Sequence, residues 1–477
     1  MLTTAAGTAS PAVPGTGGNA GTLDVPAYSG SRPVMSNRPG QLHDGAGRPL
    51  ARLGNAGRLV QFGMAQEAAK TARVLRGIDD DAWFGLLRDA AGRLTARLDG
   101  GELGPWLRAL SAATGLPLRR AERGVRTVAD DLGRMEEILA AQSPDGTVSA
   151  YRTGGDDPRW SWRPAGRSVH VRVPDNFPTI GIEWMQALAA RRPVLLSTSA
   201  RDPFTAVLVT EALYAAGLPD NAVSLVHGDA PALRRLADQV LWPGEEVPAD
   251  LPPGKVKTYH YGRSRALVGD DGPKDAWERL AREAFAGCGR LCTNISSLVV
   301  LGDAEDAAGQ LAREFATRPV LPLDDPSATV PAFPDRAVRD TLATRIEREI
   351  AAGAVDVTEA ATGVPLRVDL DGVAYLRPTV LLLDAGSPLF GTELPFPFTA
   401  VAHVPRSKAV AACAGSLIVS VLGEAGGLVR ALAEEPGVDK VFGGEEFDRG
   451  YDPRDPHEGY VADFLFKKKA VLPGTSA

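Results

Sequence analysis

The chain has 477 residues, 44% of them apolar and 23% charged, and a net charge of −7. That apolar content at this length supports large cores and two or three domains. The acidic balance argues against a nucleic-acid partner, which needs a basic excess to displace phosphate counterions, and no apolar run approaches the ~20 residues that span a bilayer.

Residues 1–35 are rich in Gly, Ala, Ser, Thr and Pro and read as a disordered tail, with none of the basic and apolar regions of a secretory signal. The tail holds Gly15-Thr16-Gly17-Gly18-Asn19-Ala20, half of a dinucleotide fingerprint. It follows no strand and opens no helix, so it carries no weight. Helical periodicity covers 65–75, 82–98 and 127–141. Two strand-like runs, 147–152 and 159–163, flank a turn-rich stretch and predict a hairpin at about 145–165, of a kind that pairs with a neighbouring subunit. From 168 onward, strands at 168–173, 193–197, 223–226 and 240–242 alternate with helices at 179–191 and 203–216. The alternation implies right-handed βαβ units in a parallel sheet, whose ligands sit at the carboxyl ends of the strands. Asn176, Ser197 and Gly244 lie just past such ends.

A helix at 275–285 and an apolar run at 296–301 bracket Ala286-Gly287-Cys288-Gly289-Arg290-Leu291-Cys292-Thr293-Asn294. A turn between rigid elements can present the Cys292 thiol to a cleft, although residue type alone favours a buried structural cysteine. Three cysteines are too few and too oddly placed for a disulfide framework, and without a His cluster they predict no metal site; the protein reads as cytoplasmic with reduced thiols. Helices at 304–318 and 337–352, strands at 380–384 and 398–403, residues 440–444 and an apolar strand at 459–471 complete the chain. Lys467-Lys468-Lys469 reads as a solvated strand end.

Six motifs then fall in one order. Pro174-Asp175-Asn176-Phe177-Pro178 resembles the P-W-N-F-P of aldehyde dehydrogenases. Gly217-Leu218-Pro219 with 223–228 resembles their G-L-P-x-G-V-x-N-V-V-x-G, and 238–244 their D-x-V-x-F-T-G. Gly289-Arg290-Leu291-Cys292-Thr293 resembles G-Q-x-C-x. Arg377-Pro378-Thr379-Val380 and 393–398 resemble P-T-V and E-x-F-G-P-V. The resemblance covers nearly everything from about residue 40. It implies an α/β fold of two open parallel-sheet domains plus a small β oligomerisation element: 36–257 nucleotide-binding, 258–440 carrying the catalytic cysteine, and 441–477 a C-terminal return with an oligomerisation strand, in a homodimer or homotetramer.

The resemblance makes Cys292, rather than Cys288, the nucleophile. Asn176 becomes a side-chain donor to the oxyanion, where a cap of the next helix is the alternative. Glu393 becomes the ligand of the nicotinamide ribose, where a surface carboxylate is the alternative. Ser197, Ser199, Arg201, Gly244 and Phe396 fall around the dinucleotide.

Three departures shape the expected chemistry. The family's general base, the Glu of E-L-G-G-K, is replaced by Tyr259, a poor base at neutral pH. Neighbouring His260 reads as a packed or surface residue. Without an activated water a thioacyl enzyme waits for another acceptor, as in the CoA-acylating aldehyde dehydrogenases and the LuxC-like acyl-CoA reductases. Next, Leu196-Ser197-Thr198-Ser199-Ala200-Arg201 replaces L-K-P-S-E. That removes a carboxylate that would repel a 2′-phosphate and adds an arginine, which favours NADP over NAD. Finally, Gly244-Glu245 replaces G-S beside the pyrophosphate. The expected activity is NADPH-dependent reduction of an acyl-CoA or acyl-carrier-protein thioester to an aldehyde. Rival readings are reduction of an acyl phosphate or adenylate, aldehyde oxidation with an unrecognised base, and a non-catalytic binding member of the fold.

Overall fold

The computed structural model describes residues 22–470 apart from 156–158, 180, 245, 270–275 and 424. Two seven-stranded sheets dominate. The first runs, in spatial order, Val256–Tyr259, Gln239–Pro243, Val169–Arg172, Val194–Thr198, Val223–His227, Ala27–Ser29 and Arg32–Val34. Its first five strands are parallel. Their continuous apolar runs, such as Val194-Leu195-Leu196, are buried on both faces by helices, as a parallel sheet requires.

Ala27–Ser29 adds antiparallel to this sheet and pairs in turn with Arg32–Val34. The expected tail at 1–35 is therefore corrected from Leu23 onward: Leu23–Val25 also forms a strand, and Val25, Ala27 and Tyr28 are buried in the core. The half fingerprint at 15–20 lies outside the described residues.

The second sheet runs Val355–Asp356, Thr379–Leu382, Phe398–His403, Ser297–Val300, Arg265–Val268, Ser416–Leu422 and Val438–Gly443. All its pairings are parallel except the edge strand Val355–Asp356. One short connector, residues 260–264, joins Val256–Tyr259 of the first sheet to Arg265–Val268 of the second.

The hairpin expected at 145–165 is also corrected. Residues Ala150–Thr153 form a short helix, and the strand Ser161–Pro164 pairs with Phe466–Lys469 at the far end of the chain. Tyr151 is drawn into the core instead of a strand: its ring packs on Trp162 and Phe466, and its hydroxyl donates to the Leu139 carbonyl at 3.0 Å. The last strand is correspondingly shorter than expected, because Val461–Leu465 is helical. Lys467, Lys468 and Lys469 are exposed. Among the described residues no helix is long and apolar enough to cross a membrane.

Candidate active site

The cleft between the sheets has a volume of about 690 Å³ and is lined by Asn176, Ser199, Asp229, Trp242, Gly244, Tyr259, Cys292, Glu393 and His457 among others. That is the size of a small-molecule or cofactor site. It opens along the carboxyl ends of the first sheet's strands and ends at the thiol.

Local backbone and three side chains fix the cysteine turn. Helix Ala276–Phe285 passes into a turn in which Gly287, Cys288 and Gly289 all have positive φ (+50°, +62°, +72°). A left-handed non-glycine residue costs of order 1–2 kcal/mol; the burial of the Cys288 side chain holds it there. Gly289 is needed because a Cβ would run into the backbone of Phe396 and Pro397. Asn294 then staples the turn. Its Oδ1 accepts from the Leu291 N–H at 2.6 Å, and its Nδ2 donates to the Glu283 and Ala286 carbonyls at 2.5 and 2.9 Å. The buried Arg290 guanidinium donates to the carbonyls of Thr114, Ala332 and Pro395, tying the turn to three distant segments. Ser264 Oγ donates to the Cys292 carbonyl at 2.8 Å.

The connector 260–264 crosses this site. Gly262 packs so close to the Cys292 carbonyl that a Cβ has no room. Glu393 Oε2 accepts from the Gly262 and Arg263 N–H groups at 2.9 and 3.4 Å. Glu458 accepts from the His260 N–H at 2.9 Å. His260 itself is exposed, with Nε2 3.0 Å from Thr258 Oγ1.

Tyr259 forms the wall beside the thiol. Burial holds its phenol well above the usual value, and its hydroxyl has no partner among the described residues. Cys292 Sγ lies 3.5 Å from His457 Nε2. Burial first, then the Glu393, Glu183 and Glu458 charges, push the Cys292 thiol up. Burial first, then the Lys440 and Lys257 charges, pull His457 down to about 3. Cys288 is the structural cysteine, fully enclosed and pushed up to about 11 by burial.

Of the residues expected from sequence, Cys292, Asn176, Glu393, Ser199 and Gly244 line one cleft. Asn176 is exposed to it. Gly244, at φ +102° with open space where a Cβ would point, leaves room for a ligand backbone. Three placements differ. Ser197 is enclosed in mid-strand, its carbonyl accepting from Val173 N–H at 2.9 Å. Phe396 packs in the core against Phe333 and Phe398, because the strand Phe398–His403 draws it inward. Arg201 lines a neighbouring cavity with Arg263, Arg290 and Arg345, since Ser199 Oγ accepts from the Arg201 and Asp202 N–H groups and turns the chain away. Glu245 lies outside the described residues.

The sequence reading missed Glu183, His457, Tyr451 and Lys440. Glu183, on the first turn of Glu183–Ala189, lines the cleft, and burial raises its pKa against the opposing effect of the Glu183 and Gly181 N–H groups and Lys257. His457 sits in a loop punctuated by Asp and Pro, so no periodicity ties it to residue 292. Among the described residues no group of three or more side chains has the make-up of a metal site.

Comparison with known proteins follows the same lines. Residues 101–240 match the sequence profile of the aldehyde dehydrogenase family. The structure superimposes on HpcC from Thermus thermophilus with a TM-score of 0.75 at 20% identity, covering 95% of each chain. The chain has the aldehyde dehydrogenase fold, and residues 101–240 carry that family's sequence profile.

Malonate-semialdehyde dehydrogenase of Pseudomonas aeruginosa is 28% identical over 206 residues, 38% of this chain and 41% of that protein. The 2-hydroxymuconic semialdehyde dehydrogenase of Pseudomonas sp. strain CF600 is 26% identical over 372 residues, 70% of this chain and 72% of the relative. Against the first of these, and against a 2-hydroxymuconic semialdehyde dehydrogenase of Pseudomonas putida (48%), this chain spans less than half the relative's length. A methylmalonate-semialdehyde dehydrogenase from Sinorhizobium meliloti, solved with NAD, has a TM-score of 0.73 at 16% identity, covering 95% of this chain and 99% of that one.

Proposed function

We propose that this chain is an NAD(P)H-dependent acylating oxidoreductase, reducing an acyl thioester to an aldehyde through a thioacyl group on Cys292. The observation that carries this reading is Tyr259. A phenol held well above its usual pKa, with its hydroxyl unpartnered, stands in the wall beside the thiol where the resemblance expects a carboxylate base. A water next to the acyl group has no activator from that position, so the thioacyl enzyme persists. Relatives named as acylating semialdehyde dehydrogenases lend further support.

In this reading Cys292 Sγ attacks the thioester carbonyl, and Asn176 with the Cys292 N–H receives the oxyanion. Such donors are each worth about a hundredfold or more in rate. The carrier thiol, CoA or an acyl carrier protein, leaves. The Glu393 carboxylate, braced on Gly262 and Arg263, is placed to accept from ribose hydroxyls. Ser199 and Gly244 line the remainder of the groove. The bound dinucleotide supplies the hydride. The arginine expected to select a 2′-phosphate faces the neighbouring cavity; Arg172 and Arg234 are the cations on this cleft, and Arg234 is already paired with Asp229 at 2.7 Å. NADP remains the first candidate because residues 196–201 lack the family's ribose-binding carboxylate, with NAD as the second, in a homodimer or homotetramer. The test is aldehyde formation from acyl-CoA and NADPH or NADH: Cys292→Ala abolishes it, and an unchanged rate of dinucleotide oxidation in that variant overturns the reading.

Glu183 favours a second reading. Its carboxylate shares the cleft with Cys292, and burial raises its pKa, which suits a general base. Oxidation of an aldehyde to the free acid, lost in Glu183→Gln, would support that reading.

A further inference from the structure

We propose that His457 is the proton carrier of Cys292: Nε2 takes the thiol proton as Sγ bonds to the acyl carbon, then returns it to the departing thiolate. The inference rests on the thioacyl reading for its natural substrate, but the pairing applies to any acyl donor.

The geometry is specific. Nε2 is 3.5 Å from Sγ, a contact distance for sulfur. The ring plane is set by two tyrosines. Tyr259 stacks on it with centroids 5.9 Å apart at 23°, and Tyr451 meets it edge-on at 6.2 Å and 86°. Nδ1 has no partner among the described residues, so the ring is oriented by this packing and by its Nε2 contact with Sγ. For Nε2 to accept from the thiol, Nδ1 carries the ring proton. The ionisable groups around the imidazole are the Cys292 thiol, Tyr259 and Tyr451 at its faces and edge, Glu183 and Asp455 on the small cavity it lines, and Lys440 and Lys257 beyond.

The electrostatics say when the proton moves. Burial pushes the thiol up and pulls His457 down to about 3, and Lys440 and Lys257 reinforce the second effect. At neutral pH the resting pair is therefore uncharged, SH donating to N. Attack changes this. As the S–C bond forms, negative charge appears on the acyl oxygen, and an imidazolium nearby becomes favourable. The tetrahedral centre then collapses, the C–S bond to the donor breaks, and its thiolate takes the proton from Nε2. The imidazole and a thioacyl Cys292 remain, with no net redox change. This is general base and then general acid catalysis, worth typically about 10²–10⁴-fold.

The experiment follows acylation without any dinucleotide. Full-length enzyme is mixed with p-nitrophenyl acetate, and the burst of nitrophenol is timed in wild type, His457→Gln and His457→Ala, with melting temperature recorded for each. Free thiol released from acetyl-CoA is followed in parallel. The expected result is a burst about a hundredfold slower in both variants, with added imidazole accelerating His457→Ala. A wild-type burst rate in the folded variants, or a folded His457→Ala that ignores imidazole, overturns the proposal. If the variants fail to fold, the wild-type burst in D2O decides: a slower burst supports proton transfer in the acylation step, and an equal one overturns it. A normal ester burst with no thiol released from acetyl-CoA instead counts against the thioester reading and leaves His457 as the carrier.

Discussion

Tyr259 and His457 stack beside the thiol, ring centroids 5.9 Å apart and planes at 23°. One ring fills the position expected of a water-activating carboxylate, and the other holds a nitrogen 3.5 Å from Sγ. The exchange of a charged base for an aromatic platform follows directly from Tyr259.

The tyrosine hydroxyl is the dispensable part of that platform. Tyr259→Phe keeps the stack and removes a buried group without a partner. It is expected to melt at or slightly above the wild-type temperature and to acylate at the wild-type rate. Tyr259→Glu should divert the thioacyl enzyme to free acid, raising hydrolysis about a hundredfold or more, and should lower the melting temperature because a carboxylate is buried without a partner. Product analysis by chromatography reads both variants; an unaltered acid yield in Tyr259→Glu contradicts the role given to this position.

Glu393 bears on the thiol as well as on the cleft. Burial is the largest cause of the raised Cys292 pKa, and the Glu393 charge is the next. With the thiol raised, alkylation by iodoacetamide should climb through pH 9 without levelling off, since thiolate accumulates only as pH approaches the raised value. Glu393→Gln removes the like charge, so the pKa falls and more thiolate exists at any given pH below it. The variant should alkylate faster at pH 8 and bind dinucleotide more weakly. Slower alkylation in Glu393→Gln runs against this electrostatic account.

Asn294 is a structural staple of the nucleophile turn. Asn294→Ala forfeits three hydrogen bonds to Leu291, Glu283 and Ala286, about 3 kcal/mol at about 1 kcal/mol each. Urea denaturation should report that loss, together with a large drop in acylation. A variant of wild-type stability would show that the turn is held by Arg290 and packing alone.

Much of this was legible in the chain. The long β-branched runs of the first sheet and six motifs in order point to the fold, because a parallel sheet buried on both faces leaves continuous apolar segments. The strands Leu23–Val25, Ala27–Ser29 and Arg32–Val34 were not legible: each is three residues long and punctuated by Pro or Gly, too short for any period to register. The run around Tyr151 misled because its β-forming residues serve a core contact, while the true partner of Ser161–Pro164 lies at the end of the chain. For the site, Cys292, Asn176 and Glu393 carry motif signals. His457 and Glu183 do not, since their meaning comes only from tertiary proximity to the thiol.

The central claim concerns the fate of the thioacyl enzyme. Cys292 is loaded from a radiolabelled acyl thioester, freed of donor by rapid gel filtration, and divided between buffer alone and buffer with NADPH or NADH. The account predicts slow loss of label in buffer and rapid release as aldehyde when the reduced dinucleotide is added. Rapid release as free acid in buffer, at a rate the dinucleotide does not change, would contradict it.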